Sequence, residues 1–122
     1  MAVDDERSVL FILYHTLVCL DEDIIVETAQ RADEALERLS NQDFDLVITD
    51  LMMPGMSGIE LTEILAELKN EAKVIWISAY LDKEAEQKAA ELKVAKCLSK
   101  TVEVSVIRSA VREALGSNGS AA

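Results

Sequence analysis

Short apolar runs separated by amphipathic stripes constrain the fold of this chain more than any other feature. The runs are Ile24 to Val26, Leu46 to Ile48, Val74 to Ile77 and Ala95 to Leu98. They are mostly rich in Val and Ile and lack a strict period of two, which is the texture of parallel strands covered on both faces. Between them, Ala32, Ala35, Leu36 and Leu39 recur at i, i+3, i+4 and i+7, as do Leu61, Ile64, Leu65 and Leu68. Ala85, Ala89 and Leu92 form a third helical stripe, and Val104, Ile107, Val111 and Leu115 a fourth. With a short first strand at Ala2-Val3 and a first helix from about Ser8 to Leu20, the chain reads as five strand-helix units. Strands alternating with helices imply right-handed crossovers and a doubly wound α/β sheet.

The first unit is unusual at both of its elements. Only Met1 to Val3 precede the acids, so the strand is shorter than the usual five or six residues. In the helix, Val9 to Tyr14 are consecutive and apolar. A core stripe of Val9, Ile12, Leu13, Leu17 and Leu20 leaves Phe11, Tyr14 and Val18 on a second face. That face is either covered inside the domain or docks a partner, a homodimer through the first helix included. At the other end, Gly116 reads as a helix C-cap, which sets the domain at 1–116 and a small, polar, flexible tail at 117–122.

A chain of 122 residues is one domain with room for a working core. Half of it is hydrophobic, which argues against disorder, and its net charge of −11 disfavours direct nucleic-acid binding. Cations or basic partner faces suit such a domain better. Cys19 and Cys97 have no paired spacing for zinc or redox chemistry and fall in apolar runs, so buried free thiols are expected. No signal peptide is visible, and Val9 to Tyr14 is too short to cross a membrane. A cytoplasmic protein is the corresponding expectation.

Charged and hydroxyl residues fall where the strands end. Asp4 and Asp5 follow the first strand, Asp50 ends the third, Ser78 the fourth and Lys100 the fifth. In an open parallel sheet these ends converge on one edge. Asp50 leads into Pro54-Gly55 and then a helix, a strand-loop-helix pattern with a carboxylate at its mouth. Alone, Asp4-Asp5 would suit a helix N-terminus. Three carboxylates together repel by a few kcal/mol per pair at an effective dielectric of about 20. Either a raised carboxyl pKa or a hard divalent cation offsets this, and few side-chain ligands plus a carbonyl and waters is the style of Mg²⁺. Carboxylate, Mg²⁺, lysine and hydroxyl are the parts that phosphoryl transfer onto a carboxylate needs.

At these residues the chain resembles the receiver domains of response regulators in two-component signalling, the CheY-like superfamily. The match lies in Asp4-Asp5-Glu6, the run Asp50-Leu-Met-Met-Pro54-Gly-Met-Ser-Gly58, Ser78-Ala79-Tyr80, and Lys100. Spacings of 45 from Asp5 to Asp50, 28 from Asp50 to Ser78 and 50 from Asp50 to Lys100 support it. The resemblance implies a flavodoxin-like five-stranded parallel sheet of order 2-1-3-4-5. It implies that Asp50 is the phosphoacceptor for a sensor histidine kinase or phosphotransfer protein, signalling to an output protein or domain that the sequence does not identify. Asp4 and Asp5 become the Mg²⁺ acid pair, joined by Asp50 and the Met52 carbonyl. Ser78 becomes the switch hydroxyl and Lys100 the phosphate-pairing lysine.

The chain also departs from that family. Thr101 stands where Pro usually follows the lysine, often through a cis bond; Cys97 stands where Tyr or Phe usually precedes it by three; Lys93-Val94 replace a small Gly-Ala pair. Such changes on the output side favour an alternative, a pseudo-receiver that binds or dimerises with its switch disconnected. The two positions that in that family tune loss of the phosphoryl group to water correspond here to Met52 and Tyr80. Neither side chain positions a water, so a domain that catalyses its own phosphoryl transfer with slow autodephosphorylation is expected. Aspartyl phosphatases of the haloacid dehalogenase type need a second Asp where Met52 stands. His15 reads as a structural histidine and Trp76 as core.

Overall fold

The computed structural model describes residues 1–101 and 103–119. Five strands alternate with five helices among them: β1 (Ala2–Val3), α1 (Arg7–Val18), β2 (Thr28–Ala29), α2 (Ala32–Asn41), β3 (Leu46–Asp50), α3 (Gly58–Glu67), β4 (Lys73–Ser78), α4 (Lys83–Glu91), β5 (Lys96–Ser99) and α5 (Val104–Gly119). All pairings are parallel and the order is β2-β1-β3-β4-β5, the flavodoxin-like arrangement expected. The short β1 sits between β2 and β3, in register Ala2 with Ile48 and Val3 with Thr49.

Alternate residues of each strand enter opposite cores. Val3, Val47, Val74 and Trp76 pack beneath Ala32, Ala35 and Leu39 of α2, Leu61 and Leu65 of α3, and Ala85 and Ala89 of α4. Ala2, Ile48, Ile75 and Ile77 pack beneath Leu10, Leu13 and Leu17 of α1 and Ile107, Ala110, Val111 and Ala114 of α5. Burial on both faces explains why β3 and β4 read as continuous apolar runs without alternation.

Several sequence expectations require correction. The second strand is Thr28–Ala29, not Ile24 to Val26, because β1 pairs in the register Ala2 with Thr28 and Val3 with Ala29, its Ala2 N–H donating to the Glu27 carbonyl. Ile24 to Val26 lie ahead of the paired residues, and Ile25 is exposed where a covered strand would bury it. Helix α1 buries Leu10, Leu13, Thr16 and Leu17, while Ile12 is exposed. A run of six apolar residues fixes the period of a helix but not its phase, so Leu10 takes the core place assigned to Ile12. Phe11 and Tyr14 are exposed, and Val18 is half-buried. His15 is also exposed, its ring 4.2 Å from that of Phe11 and 5.4 Å from that of Tyr14. Helix α5 passes through Gly116 to Gly119, so Gly116 is not its C-cap. Of the expected tail, 120–122 lie outside the described residues. Cys19 is exposed and Cys97 half-buried, against the expectation of two buried thiols.

Helix ends hold the loops around the carboxyl edge. Ser57 and Glu60 form a reciprocal capping box at the start of α3, and the Asp82 carboxylate accepts from the Ala85 N–H at 2.8 Å to cap α4. Past the end of α4, Lys93 adopts φ +59, with its N–H donating to Ala90 O and the Val94 N–H to Ala89 O. This is the hydrogen-bond pattern of a Schellman turn, with lysine where glycine carries no steric penalty.

Candidate functional site

The carboxyl ends of β1, β3, β4 and β5 meet as the topology requires. Asp4 follows β1, Asp50 closes β3, Ser78 closes β4, and Lys100 follows β5, its N–H donating to the Ser78 carbonyl at 2.8 Å. Asp4 and Asp50 are buried, at 1% and 4% exposure, whereas Asp5 and Glu6 are exposed. Each of these acids places a carboxylate oxygen so that all four oxygens lie within 4.8 Å of one another.

Lys100 reaches across this cluster. Its ammonium nitrogen lies 2.9 Å from Glu6 Oε1, 3.1 Å from Asp4 Oδ2 and 3.2 Å from Asp50 Oδ2, with the side chain only 15% exposed. The contacts to Glu6 and Asp50 are hydrogen bonds. The contact to Asp4 is an ion pair without hydrogen-bond alignment, which leaves Asp4 Oδ2 buried and without a hydrogen-bond partner. Burial alone would lower the lysine pKa; contacts with Glu6, Asp4 and Asp50 override it and hold Lys100 well above the ordinary value. The ammonium therefore stays charged across the physiological range. The pKa of Asp4 is raised as well: burial is the largest cause and the nearby Asp50 charge adds to it, against the Glu6 N–H and Lys100.

Glu6 is the residue that sequence reasoning missed. It stood in the quoted Asp4-Asp5-Glu6 triplet, yet no role was drawn for it. It is the N-cap position of α1 without a side-chain cap, so its carboxylate is free to turn to Lys100. Its own N–H donates to Asp4 Oδ1 at 2.9 Å, which aims Asp4 into the cluster instead of into the first turn of α1.

A hard divalent cation fits this donor set. The candidates are the expected Asp4, Asp5 and Asp50 with Glu6 beside them, and Asp4 Oδ2, buried without a hydrogen bond and met only by the Lys100 ion pair, is the observation that asks for one. Two buried carboxylates no more than 4.8 Å apart repel by at least about 3.5 kcal/mol at an effective dielectric near 20, and one ammonium shared three ways offsets this only in part. Met52 lies at the rim, its N–H 3.3 Å from Asp50 Oδ1 and its side chain facing solvent at 74% exposure.

Ser78 is in place but turned aside. It is fully buried, and its Oγ donates to Tyr80 O at 3.0 Å and accepts from Tyr80 N at 3.3 Å, so its bonds are spent within its own loop. Tyr80 itself is 75% exposed. Three residues before Lys100, Cys97 pairs with Trp76 across β4 and β5, and the Lys100–Thr101 peptide bond is cis without a proline.

A parallel sheet with buried acids and a lysine at its carboxyl edge defines an α/β domain with a polar site at that edge. The model of the response regulator receiver domain matches residues 1–112, and the chain belongs to that family. It is 32% identical over 79 residues to the alkaline phosphatase synthesis transcriptional regulatory protein PhoP of Bacillus subtilis, covering 65% of this chain and 32% of that protein. It is 35% identical over 82 residues to the sensor histidine kinase RcsC of Escherichia coli, covering 67% of this chain and 9% of that one. The chain thus spans a third or less of these relatives. A CheY-like receiver domain structure from Methanospirillum hungatei superposes with a TM-score of 0.89 at 26% identity, covering 99% of this chain and 95% of the other.

Proposed function

We propose that this receiver domain is a phosphorylation switch that accepts a phosphoryl group on Asp50 from a sensor histidine kinase or phosphotransfer protein and signals by protein contact. An Asp50 carboxylate oxygen attacks the phosphorus in line; the new P–O bond forms as the P–N bond to the donor imidazole breaks, and the imidazole leaves with the electron pair. Asp4, Asp5 and Asp50, with the Met52 carbonyl, would hold Mg²⁺, and Glu6 stands within reach of the same place. When bound, the cation supplies charge neutralisation for the phosphoryl oxygens. Lys100 contributes the second positive charge, already 3.2 Å from Asp50 Oδ2. Once a phosphoryl group is present, Lys100 exchanges its carboxylate contacts for phosphate oxygens, and Ser78 leaves Tyr80 to donate to the phosphate.

The observation that carries this reading is the Lys100 ammonium in contact with Asp50 beside a buried Asp4 oxygen that has no hydrogen bond. The test is incubation with Mg²⁺ and acetyl phosphate, or a beryllofluoride mimic, followed by intact mass. One adduct on the wild type that is lost in Asp50→Asn supports it. Met52 and Tyr80 both face solvent and neither carries a carboxylate or amide for an attacking water. The adduct should therefore persist, and decay within seconds would contradict that part. Rapid turnover of the donor instead would point to a hydrolase.

A second reading is a pseudo-receiver, a binding or dimerisation module with a disconnected switch. Cys97 in the usual aromatic place and the exposed Phe11, Ile12 and Tyr14 on α1 favour it. Absence of any adduct, together with dimers in size-exclusion chromatography with light scattering, would select it.

A further inference from the structure

Trp76 and Thr62 make a buried contact one layer beneath the acids. Trp76 is fully buried on β4, facing α3 and α4. Its indole N–H donates to Thr62 Oγ1 at 2.9 Å, and that hydroxyl donates onward to the Gly58 carbonyl at 2.8 Å. With its proton committed to Gly58, the hydroxyl presents a lone pair to the indole, so the two bonds orient each other.

Gly58 carries the contact to the site. A Cβ at this position would collide with the Asp50 carbonyl oxygen and stand 3.1 Å from Leu51 Cα. The first residue of α3 therefore rests directly on the backbone of the acceptor residue. Its N–H donates to the Leu51 carbonyl at 3.2 Å, closing the loop that carries Met52. Thr49 Oγ1 also donates to the Asp50 carbonyl, at 2.9 Å. The Asp50 main chain is thus held by a threonine hydroxyl and by the seated end of α3.

We propose that Thr62 and Trp76 are a positioning pair for the Asp50 site, in which the chain Trp76–Thr62–Gly58 seats α3 on the Asp50 backbone and sets the loop that carries Met52. This deepens the phosphoacceptor reading and rests on it. Neither side chain touches the reacting atoms; both act through the closeness of Gly58 to Asp50. A purely structural pair, in contrast, would satisfy the buried indole N–H and affect stability alone.

The test compares Thr62→Val, Thr62→Ser, Trp76→Phe and the double variant Thr62→Val/Trp76→Phe. Mg²⁺ affinity is measured by calorimetry, the rate of adduct formation from acetyl phosphate by intact mass, and the folded state by urea unfolding. Thr62→Val should slow adduct formation about tenfold, inside the hundredfold that ångström-scale misplacement can cost, and weaken Mg²⁺ binding. Thr62→Ser, which keeps the hydroxyl, should restore both. Trp76→Phe should act in the same direction, and the double variant should be no worse than the more affected single, as expected of two residues in one contact. The proposal is overturned if folded Thr62→Val and Trp76→Phe lose only urea resistance, with Mg²⁺ affinity and adduct rate within about twofold of wild type. Should Thr62→Val not fold, Trp76→Phe decides alone. If the wild type takes no phosphoryl group, the phosphoacceptor reading fails, and the Mg²⁺ titrations still decide the role of the pair.

Discussion

Strands β3 and β5 bring residues to the same edge under very different packing. Every residue of β3 is buried, and Asp50 at its end is fixed by Lys100, by the Met52 N–H and by the close approach of Gly58. β5 is an edge strand with no fully buried residue, lying under a helix that buries only Ala85 and Ala89. Cys97 on that strand is half-buried and small where receiver domains usually carry Tyr or Phe. A phosphoryl group would be accepted on the densely packed part of the sheet, and any response would be read from the thinly packed part. Chemistry at Asp50 needs fixed geometry, whereas a switch needs an element that can rearrange at low cost.

That contrast can be broken most sharply at the acids. Asp50→Asn should abolish adduct formation entirely, as read by mass after exposure to acetyl phosphate and Mg²⁺. Asp4→Asn should weaken Mg²⁺ binding by about tenfold or more while stabilising the metal-free protein by about 1–2 kcal/mol in urea unfolding. The sign follows from Asp4, whose folded pKa is raised by burial and by Asp50. The folded state then holds its proton more tightly than the unfolded state. Stability from this group is therefore greatest at low pH and is lost as pH rises through the unfolded value toward the folded one. Protons compete with the cation for the same oxygens, so Mg²⁺ affinity should fall as the solution is acidified, and in Asp4→Asn the part of that fall that Asp4 contributes should be lost while that of the remaining carboxylates stays.

On the thin side, smaller effects are expected. Cys97→Tyr should leave Mg²⁺ affinity and adduct rate near wild type while changing stability by about 1–3 kcal/mol, since a ring must enter a site shaped for a thiol. Hydrogen exchange in α4 would show whether phosphorylation then reaches that helix more strongly. Lys93→Gly should stabilise by about 1 kcal/mol in urea unfolding, because φ +59 is strained for lysine and free for glycine. Its adduct rate should be unchanged, which would show that this turn serves the fold and not the chemistry.

The sequence was most legible where one residue sets one position. Runs buried on both faces located β3 and β4, a shorter apolar run located β5, and strand ends located Asp4, Asp50, Ser78 and Lys100, since a parallel topology leaves those ends nowhere else to go. It was least legible where neighbours decide. The placement of β2 depended on the register in which it pairs with β1, and the phase of α1 depended on which of six adjacent apolar residues met α5 and the sheet. Glu6 lay in view, but its use by Lys100 depends on a side chain crossing the sheet edge from β5. The parking of Ser78 against Tyr80 and the Trp76–Thr62 bond are side-chain choices that no periodicity encodes.

The central claim is that Asp50, held beside Lys100 and a cation-ready acid cluster, takes a phosphoryl group. Intact mass of the wild-type chain after incubation with acetyl phosphate and Mg²⁺, followed by peptide mapping, tests it most directly. The account predicts a single Mg²⁺-dependent, hydroxylamine-labile adduct on the peptide containing Asp50. No adduct, or one that persists in Asp50→Asn, would contradict it.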